Sequence, residues 1–201
     1  MKRLVVLAVI SMCLAIPRWV AAQSSYTENH VEVGAFADYL RFDATNPTIN
    51  FVGVGGRLGV NVNPHVQLEG EINYDFKRNF TSTFDNGVTT SFVTTRLRPL
   101  TGLFGPKFQA GSSGPVRVFV TGKIGFINFS EDNTGTVTGS GFSNAINGVG
   151  NAATHVAFYP GAGIEGFLGP VGLRLDVGDE IYLNNGAYNN LRVTFGPHFR
   201  F

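Results

Sequence analysis

Apolar and polar side chains alternate along most of this chain with a period of two residues. In segment 65–76 the two alternating sets are Val66, Leu68, Ile72, Tyr74 and Phe76, and Gln67, Glu69, Glu71, Asn73 and Asp75. Successive side chains of a β-strand point to opposite faces, so this period predicts a strand with two unlike faces. One face is apolar, and the other is polar and rich in carboxylates.

Eight segments show this alternation clearly or in a weaker form, and together they predict an all-β chain. The predicted strands are residues 31–42, 50–63, 65–76, 92–109, 116–129, 154–168, 171–183 and 191–201. Segment 92–109 has the weakest pattern, because Leu97 and Leu103 are out of phase with Leu100. Pro99 and Pro106 each remove a hydrogen-bond donor from the ladder, so we expect a β-bulge in this segment.

The connections between the predicted strands are long and short in turn. Long polar connections are predicted at residues 43–49, 77–91, 130–153 and 184–189, and short ones at residues 63–65, 110–115 and 169–170. The pairs Asn63 with Pro64 and Gly169 with Pro170 favour tight turns. Long loops at one end and tight turns at the other are typical of a transmembrane β-barrel.

The last segment, residues 191–201, alternates over its whole length and ends on Phe201. A tilted strand needs about 9–11 residues to cross a bilayer. A terminal strand leaves an unpaired edge unless it pairs with the first strand, so we expect a closed barrel. Its alternating apolar residues and final Phe resemble the last strand of bacterial outer-membrane β-barrels. The chain as a whole resembles the small eight-stranded barrels of the OmpA transmembrane type.

This resemblance implies an eight-stranded antiparallel up-and-down transmembrane β-barrel with a side-chain-filled lumen. It implies a monomer in the bacterial outer membrane that contacts outer-membrane lipid and has no cofactor and no enzymatic activity. Phe199 and Phe201 would form the signal by which the barrel-insertion machinery recognises the last strand. The expected function is a structural or interaction role, or a narrow porin-like path, since eight strands enclose a lumen that side chains fill.

Alternation alone leaves open which face points into the barrel. The polar side carries seven cations and eight anions, which are Arg57, Lys107, Arg117, Lys123, Arg174, Arg192 and Arg200, and Glu32, Asp38, Glu69, Glu71, Asp75, Glu165, Asp176 and Glu180. Such a balance suits pairing in a confined interior, where an unpaired charge is costly. It therefore favours an apolar face toward lipid, although Phe36 and Leu40 are out of phase. The inverted arrangement, a secreted lipocalin-like ligand-binding barrel, is the alternative.

The resemblance also implies a network of charges inside the lumen. Its candidate members are Arg57, Glu69, Glu71, Lys107, Lys123, Glu165, Arg174 and Arg192. In OmpA-like barrels, Glu, Lys and Arg side chains that exchange partners form a gate. The alternative here, which we favour, is a static plug whose ion pairs only satisfy buried charge.

The first 22 residues have the pattern of a secretory signal peptide, which leaves residues 23–201 as the barrel domain. Lys2 and Arg3 precede the apolar run 4–16, and small residues at positions 20–22 offer a cleavage site. Cleavage there removes Cys13, the one cysteine of the chain, so the mature protein would have neither a disulfide nor a cysteine metal site. The mature chain would also be slightly acidic, which argues against nucleic acid as a partner.

Other motifs carry little chemistry. Gly161, Gly163 and Gly166 have dinucleotide-fingerprint spacing, but the turn at residues 169–170 replaces the helix that this motif requires. The four histidines, His30, His65, His155 and His198, lack metal-ligand spacing. None has the His-x-Ser pair of an outer-membrane lipid deacylase. A lipid-modifying enzyme with scattered loop residues is the second alternative.

Four cations near the predicted outer rim form a further candidate site. They are Lys77, Arg78, Arg96 and Arg98. Such residues bind lipid phosphates in some membrane proteins, and elsewhere they are ordinary solvated loop charge.

Overall fold

A computed structural model describes residues 30–43, 48–85, 90–110, 115–134 and 153–201. Nine strands occur in these ranges: β1 Val31–Phe42, β2 Ile49–Asn63, β3 Val66–Asp75, β4 Arg78–Asp85, β5 Thr90–Ala110, β6 Val116–Thr134, β7 Thr154–Leu168, β8 Val171–Leu183 and β9 Ala187–Arg200. The predicted signal peptide, residues 1–22, lies outside the described residues, so it stays a prediction. Within the described ranges, no helix has the length and apolar character needed to cross a bilayer.

The strands close into an eight-stranded antiparallel barrel. Each strand pairs with its neighbours in the order β3, β2, β1, β9, β8, β7, β6, β5, and a pairing between β3 and β5 closes the circle. β4 follows β3 along the same partner, β5, so β3 and β4 are two parts of one interrupted strand. The first and last strands meet as expected, since Phe201 N donates to Val31 O at 2.9 Å. The predicted fold class is confirmed.

The bulge expected in segment 92–109 lies instead in its partner strand. β5 keeps one register with β6, from Thr94 opposite Thr134 to Ala110 opposite Val118. On the other side, Tyr74 pairs with Leu100 but Arg78 pairs with Leu97. Three residues between Tyr74 and Arg78 therefore oppose two on β5. The extra residue sits in the strand opposite Pro99, which has no N–H to donate to that strand.

Two of the predicted loops are wrong in part. Residues 77–91 were expected to be a connection, yet β4 occupies Arg78–Asp85 and pairs with β5. Residues 184–189 were also expected to be a loop, but β9 begins at Ala187. The remaining connection is short and includes Asn185 with a φ of 51°. Most of the predicted loop 130–153 lies outside the described residues, while its first part extends β6 to Thr134.

The two faces of the sheet differ as the charge balance predicted. Apolar side chains on the outer face are widely exposed, with Leu58 at 53%, Ile72 at 57% and Phe104 at 58%. Charged side chains on the inner face are buried, and Lys107, Glu165 and Arg192 are each 0% exposed. This is the reverse of a lipocalin-like barrel, whose apolar residues would fill the interior.

The interior also contains apolar side chains that the charge pattern did not predict. At the end where β1 finishes and β2 begins, here called the loop end, five rings pack inside the barrel: Phe42, Phe51, Phe129, Tyr182 and Tyr188. Phe42 stacks on Tyr182 at 5.8 Å between ring centroids, and Tyr182 stacks on Tyr188 at 5.1 Å. We call these five rings the aromatic cap. Phe36 and Leu40 were out of phase because they too point inward and are buried.

Candidate functional site

The barrel interior below the aromatic cap is filled by ion-paired side chains. All eight predicted lumen residues lie there, and each is at most 8% exposed: Arg57, Glu69, Glu71, Lys107, Lys123, Glu165, Arg174 and Arg192. Successive inward positions on the strands place them at different heights along the barrel axis. Six further residues that the alternation placed on the polar face are buried in the same interior: Glu32, Asp38, Asp75, Arg117, Asp176 and Glu180.

Glu69 lies at the centre of this network. It accepts hydrogen bonds from Lys123 Nζ and from both terminal nitrogens of Arg174. Lys123 also bonds Glu71 Oε2 at 2.6 Å, and Arg174 also bonds Asp176 Oδ2 at 2.7 Å. Strands β3, β6 and β8 are therefore joined across the lumen through one carboxylate.

Arg192 carries the network toward the aromatic cap. Its guanidinium bonds Asp38 at 2.7 Å and Glu71 at 2.8 Å, and lies 3.3 Å from Glu180. A planar guanidinium with five N–H donors can hold several carboxylates at fixed angles, which a single ammonium group cannot. Arg192 thus ties β9 to β1, β3 and β8.

The opposite end of the barrel contains a second group of ion pairs. We call it the turn end, because the turn at residues 64–65 and the turn between β7 and β8 lie there. Lys107 Nζ lies 2.7 Å from Glu165 and 3.3 Å from Glu32. Arg117 contacts the same two carboxylates, at 2.8 Å to Glu32 and 3.3 Å to Glu165. Two anions and two cations therefore alternate around this end of the lumen.

Aromatic rings inside the barrel contact the cations as well. Arg57 lies over Phe36 at 4.3 Å, Arg174 over Phe119 at 4.1 Å and Arg117 over Phe167 at 4.0 Å. Such contacts stabilise a desolvated cation by about 2 kcal/mol. These rings lie on the same face of their strands as the charged residues, so the alternation along the sequence could have placed them in the interior. Nothing in the sequence indicated which cations they contact.

Acidic groups outnumber basic ones among the buried charges of the described residues. Eight carboxylates and six cations are buried, a formal balance of −2. The excess is toward the loop end, where Asn73 Nδ2 donates to Asp38 at 2.9 Å and to Asp75 at 3.1 Å. A shared amide donor holds these two acids side by side.

His198 lies inside the barrel at the turn end, although the sequence gave no reason to select it. Its side chain is 3% exposed, and its ring contacts Phe167 edge to face at 4.7 Å. Neither ring nitrogen has a hydrogen-bond partner among the residues that the structure describes. One nitrogen belongs to a group with oxygens of Glu32 and Glu165, all within 4.8 Å of one another. The three residues come from β1, β7 and β9, which is why spacing along the sequence did not reveal the group.

The predicted basic cluster and insertion signal lie on the outside. Arg98 donates to the Tyr74 hydroxyl at 3.1 Å, and Arg78 donates to the carbonyl oxygen of Asn50 at 3.1 Å. Both cations therefore have partners within the barrel wall. Phe199 and Phe201 are 43% and 68% exposed at the turn end.

A closed barrel with an apolar outer surface and an ion-paired interior defines a transmembrane β-barrel. Residues 5–199 match the family described as Outer membrane protein beta-barrel domain, and the chain belongs to this family. The protein is accordingly located in the bacterial outer membrane. No curated protein matches the sequence.

The solved structures to which this chain is similar include bacterial surface and outer-membrane proteins. Neisserial surface protein A is 13% identical with a TM-score of 0.57, covering 85% of this chain and 97% of that one. OprG from Pseudomonas aeruginosa is 10% identical with a TM-score of 0.50, covering 88% and 98%. The N-terminal barrel domain of OprF from the same organism is 15% identical with a TM-score of 0.49, covering 87% and 98%.

Proposed function

We propose that this protein is a sealed outer-membrane barrel with a structural or interaction role, and that it conducts no solute. The observation that supports this is the filling of the lumen from end to end. Ion pairs occupy the turn end and the centre, and the aromatic cap covers the loop end. A water-filled path would need polar surface facing open space, whereas the inner charges are almost wholly buried.

The charges act as a static plug in this proposal. Arg174 contacts Glu69, Glu165 and Asp176, and Arg192 contacts three carboxylates of its own. Moving either guanidinium to a new partner would break several contacts at once among buried side chains. A gate that exchanges partners requires two arrangements of similar energy. The narrow porin-like path is therefore the second candidate, favoured only by the charge of the interior.

In this proposal the loop end of the barrel is the part that contacts a partner. We infer that the turn end faces the periplasm and the loop end faces the outside, as short turns and long loops do in such barrels. Among the described strands β4 pairs with β5 only, so its other edge is open. This edge offers backbone N–H and C=O groups for contact with a partner outside the cell.

Two further assignments belong to the same proposal. The barrel is a monomer, since each strand of the closed wall has two partners and, among the described residues, only the short strand β4 has an open edge. The ion-paired carboxylates lie inside the wall, away from lipid acyl chains outside, which favours a barrel without lipid-modifying activity. An acyl-transfer or deacylation assay on purified protein should then give no product above a heat-denatured control. Turnover that depends on folded protein would overturn this assignment.

Conductance across a planar bilayer tests the sealed barrel. Wild-type protein should give no steady current steps, and Glu71→Lys should be equally silent, although less stable. Glu71 is the appropriate position because it bonds both Lys123 and Arg192. Steady single-channel steps in the wild type, altered by Glu71→Lys, would establish a gated path instead. Recovery in the outer-membrane fraction and a gel-mobility shift on boiling verify that each preparation is folded.

A further inference from the structure

We propose that the turn end of the barrel interior binds one divalent transition-metal ion between Glu32, Glu165 and His198. These residues extend from three strands, β1, β7 and β9, into one place. Their candidate ligand atoms lie within 4.8 Å of one another, and the side chains are 5%, 0% and 3% exposed. Closing on an ion at about 2.0–2.2 Å would require shifts of roughly 1 Å in each side chain.

The unsatisfied atoms of this group point to a ligand. Both ring nitrogens of His198 and Oε2 of Glu165 are buried without a hydrogen-bond partner in the described part of the chain. A neutral imidazole has one donor and one acceptor, and leaving either unsatisfied in the interior is costly. Glu165 Oε2 lies 3.3 Å from Arg117 and would be shared with that cation, so the imidazole of His198 is the member of the group whose nitrogens await a ligand.

The ring of His198 is held firmly in position. It packs against Phe167, and Gly172 lies directly beside its Nε2, where a Cβ would approach to 2.7 Å. The glycine thus makes the space that the imidazole occupies. A ligand whose orientation is fixed before binding loses less entropy when the ion arrives.

The charges of the interior permit an added dication. Lys107 and Arg117 already neutralise Glu32 and Glu165 locally, so an ion must share these carboxylates with them. Each carboxylate has two oxygens, and Arg117 keeps a hydrogen bond to Gln109 at 3.2 Å and its place over Phe167. The formal balance of the whole buried set is −2, so one dication brings the total to neutrality, although the acidic excess itself lies toward the loop end and the turn end is already neutral.

The donor set identifies the class of ion. One imidazole nitrogen with two carboxylate oxygens suits zinc and its neighbours in the first transition row. Calcium and magnesium prefer all-oxygen sites with more ligands. The inference rests on the fold and these three residues, and it holds whether or not the barrel conducts.

The test uses protein extracted from membranes without a polyhistidine tag, since a tag would bind the probe itself. Titration with Zn²⁺ in detergent at neutral pH should give one site per chain. His198→Gln should weaken binding at least tenfold and keep the gel-mobility shift of a folded barrel. His65→Gln, the same change at an exposed position of the turn end, should leave the affinity unchanged. Absence of binding, or equal affinity in His198→Gln, would overturn the proposal.

If His198→Gln does not fold, a second measurement tests whether His198 is a metal ligand. In a variant with His30, His65 and His155 all replaced by Gln, bound Cu²⁺ should show nitrogen hyperfine coupling from a single imidazole by electron paramagnetic resonance. A spectrum with oxygen ligands alone, or no bound copper, would contradict the site.

Discussion

Most of the buried charges that the structure describes inside the barrel have more than one partner. Glu69 is the clearest case, because it is buried and bridges Lys123 and Arg174. Burying an ion costs several kcal/mol, and the attraction of its partners offsets this only when the geometry is complete. Loss of one member then leaves the others as uncompensated buried charges.

Replacing Glu69 by Gln should therefore destabilise the barrel by about 3 kcal/mol. The measurement is reversible urea unfolding of protein folded into lipid vesicles. Arg41→Gln is the control, since Arg41 and its partner Asp43 are about half exposed and lie 3.3 Å apart. Exposed pairs of this kind contribute roughly 0–1 kcal/mol. Equal losses in the two variants would show that the interior charges are solvated rather than buried.

Glycine positions on the inner and outer faces differ in the room they leave. A Cβ on Gly125 would collide with the carbonyl oxygen of Gly102 on the adjacent strand, whereas one on Gly122 would meet nothing within 4 Å. Both glycines lie in β6, three residues apart. Backbone atoms cannot move aside as a flexible side chain can.

Gly125→Ala should accordingly cost roughly 2 kcal/mol or more, while Gly122→Ala should change stability by no more than about 0.5 kcal/mol. Refolding yield and urea midpoints in the same vesicles measure both. A Gly125→Ala barrel that refolds with the urea midpoint of the wild type would contradict this prediction.

At the scale of the strand, alternation reveals an element only where its two faces meet different surroundings. β3 alternates cleanly because lipid lies on one side and ion pairs on the other. Residues 81–83 of β4 are all polar, and β4 is defined by its pairing with β5. The start of β9 was missed for the same reason, since Asn189 and Asn190 follow Tyr188 there. Beyond the bilayer the hydrogen-bond ladder continues, but the need for an apolar outer face ends.

The predicted role of β9 in assembly can be tested separately from its role in stability. Phe201 is 68% exposed at the rim, and its backbone, not its ring, joins the first strand. If the insertion machinery recognises the ring, Phe201→Ser should reduce the folded protein found in outer membranes severalfold. Its stability after refolding in vitro should stay within about 0.5 kcal/mol, as for other surface substitutions.

Leu168→Ser is the matched control for this substitution. Leu168 is 88% exposed at the same end of the barrel, so it removes comparable apolar surface outside β9. Both variants are quantified by the gel-mobility shift of membrane fractions. Equal accumulation of the two variants would remove the recognition role of Phe201.

For the whole molecule, phase along the strands predicted which charges share the interior but not which of them meet. Asp38 and Arg192 are separated by 154 residues and yet lie 2.7 Å apart. Such pairs depend on register and on side-chain length across the lumen, which one sequence does not specify. The aromatic cap was also hidden, because Phe42 and Phe51 occur where apolar residues lie on both faces.

The orientation of the wall toward lipid gives the final prediction. Leu58 and Val62 both face outward from β2, at 53% and 61% exposure, but Leu58 lies midway along the strand and Val62 at the turn end. Arg at the middle of a lipid-facing strand costs about 2–4 kcal/mol, falling to roughly 0–1 kcal/mol near the interface. Leu58→Arg should therefore destabilise the vesicle-embedded barrel far more than Val62→Arg. In a barrel surrounded by water both changes would be nearly neutral, so equal small effects would contradict a lipid-facing wall.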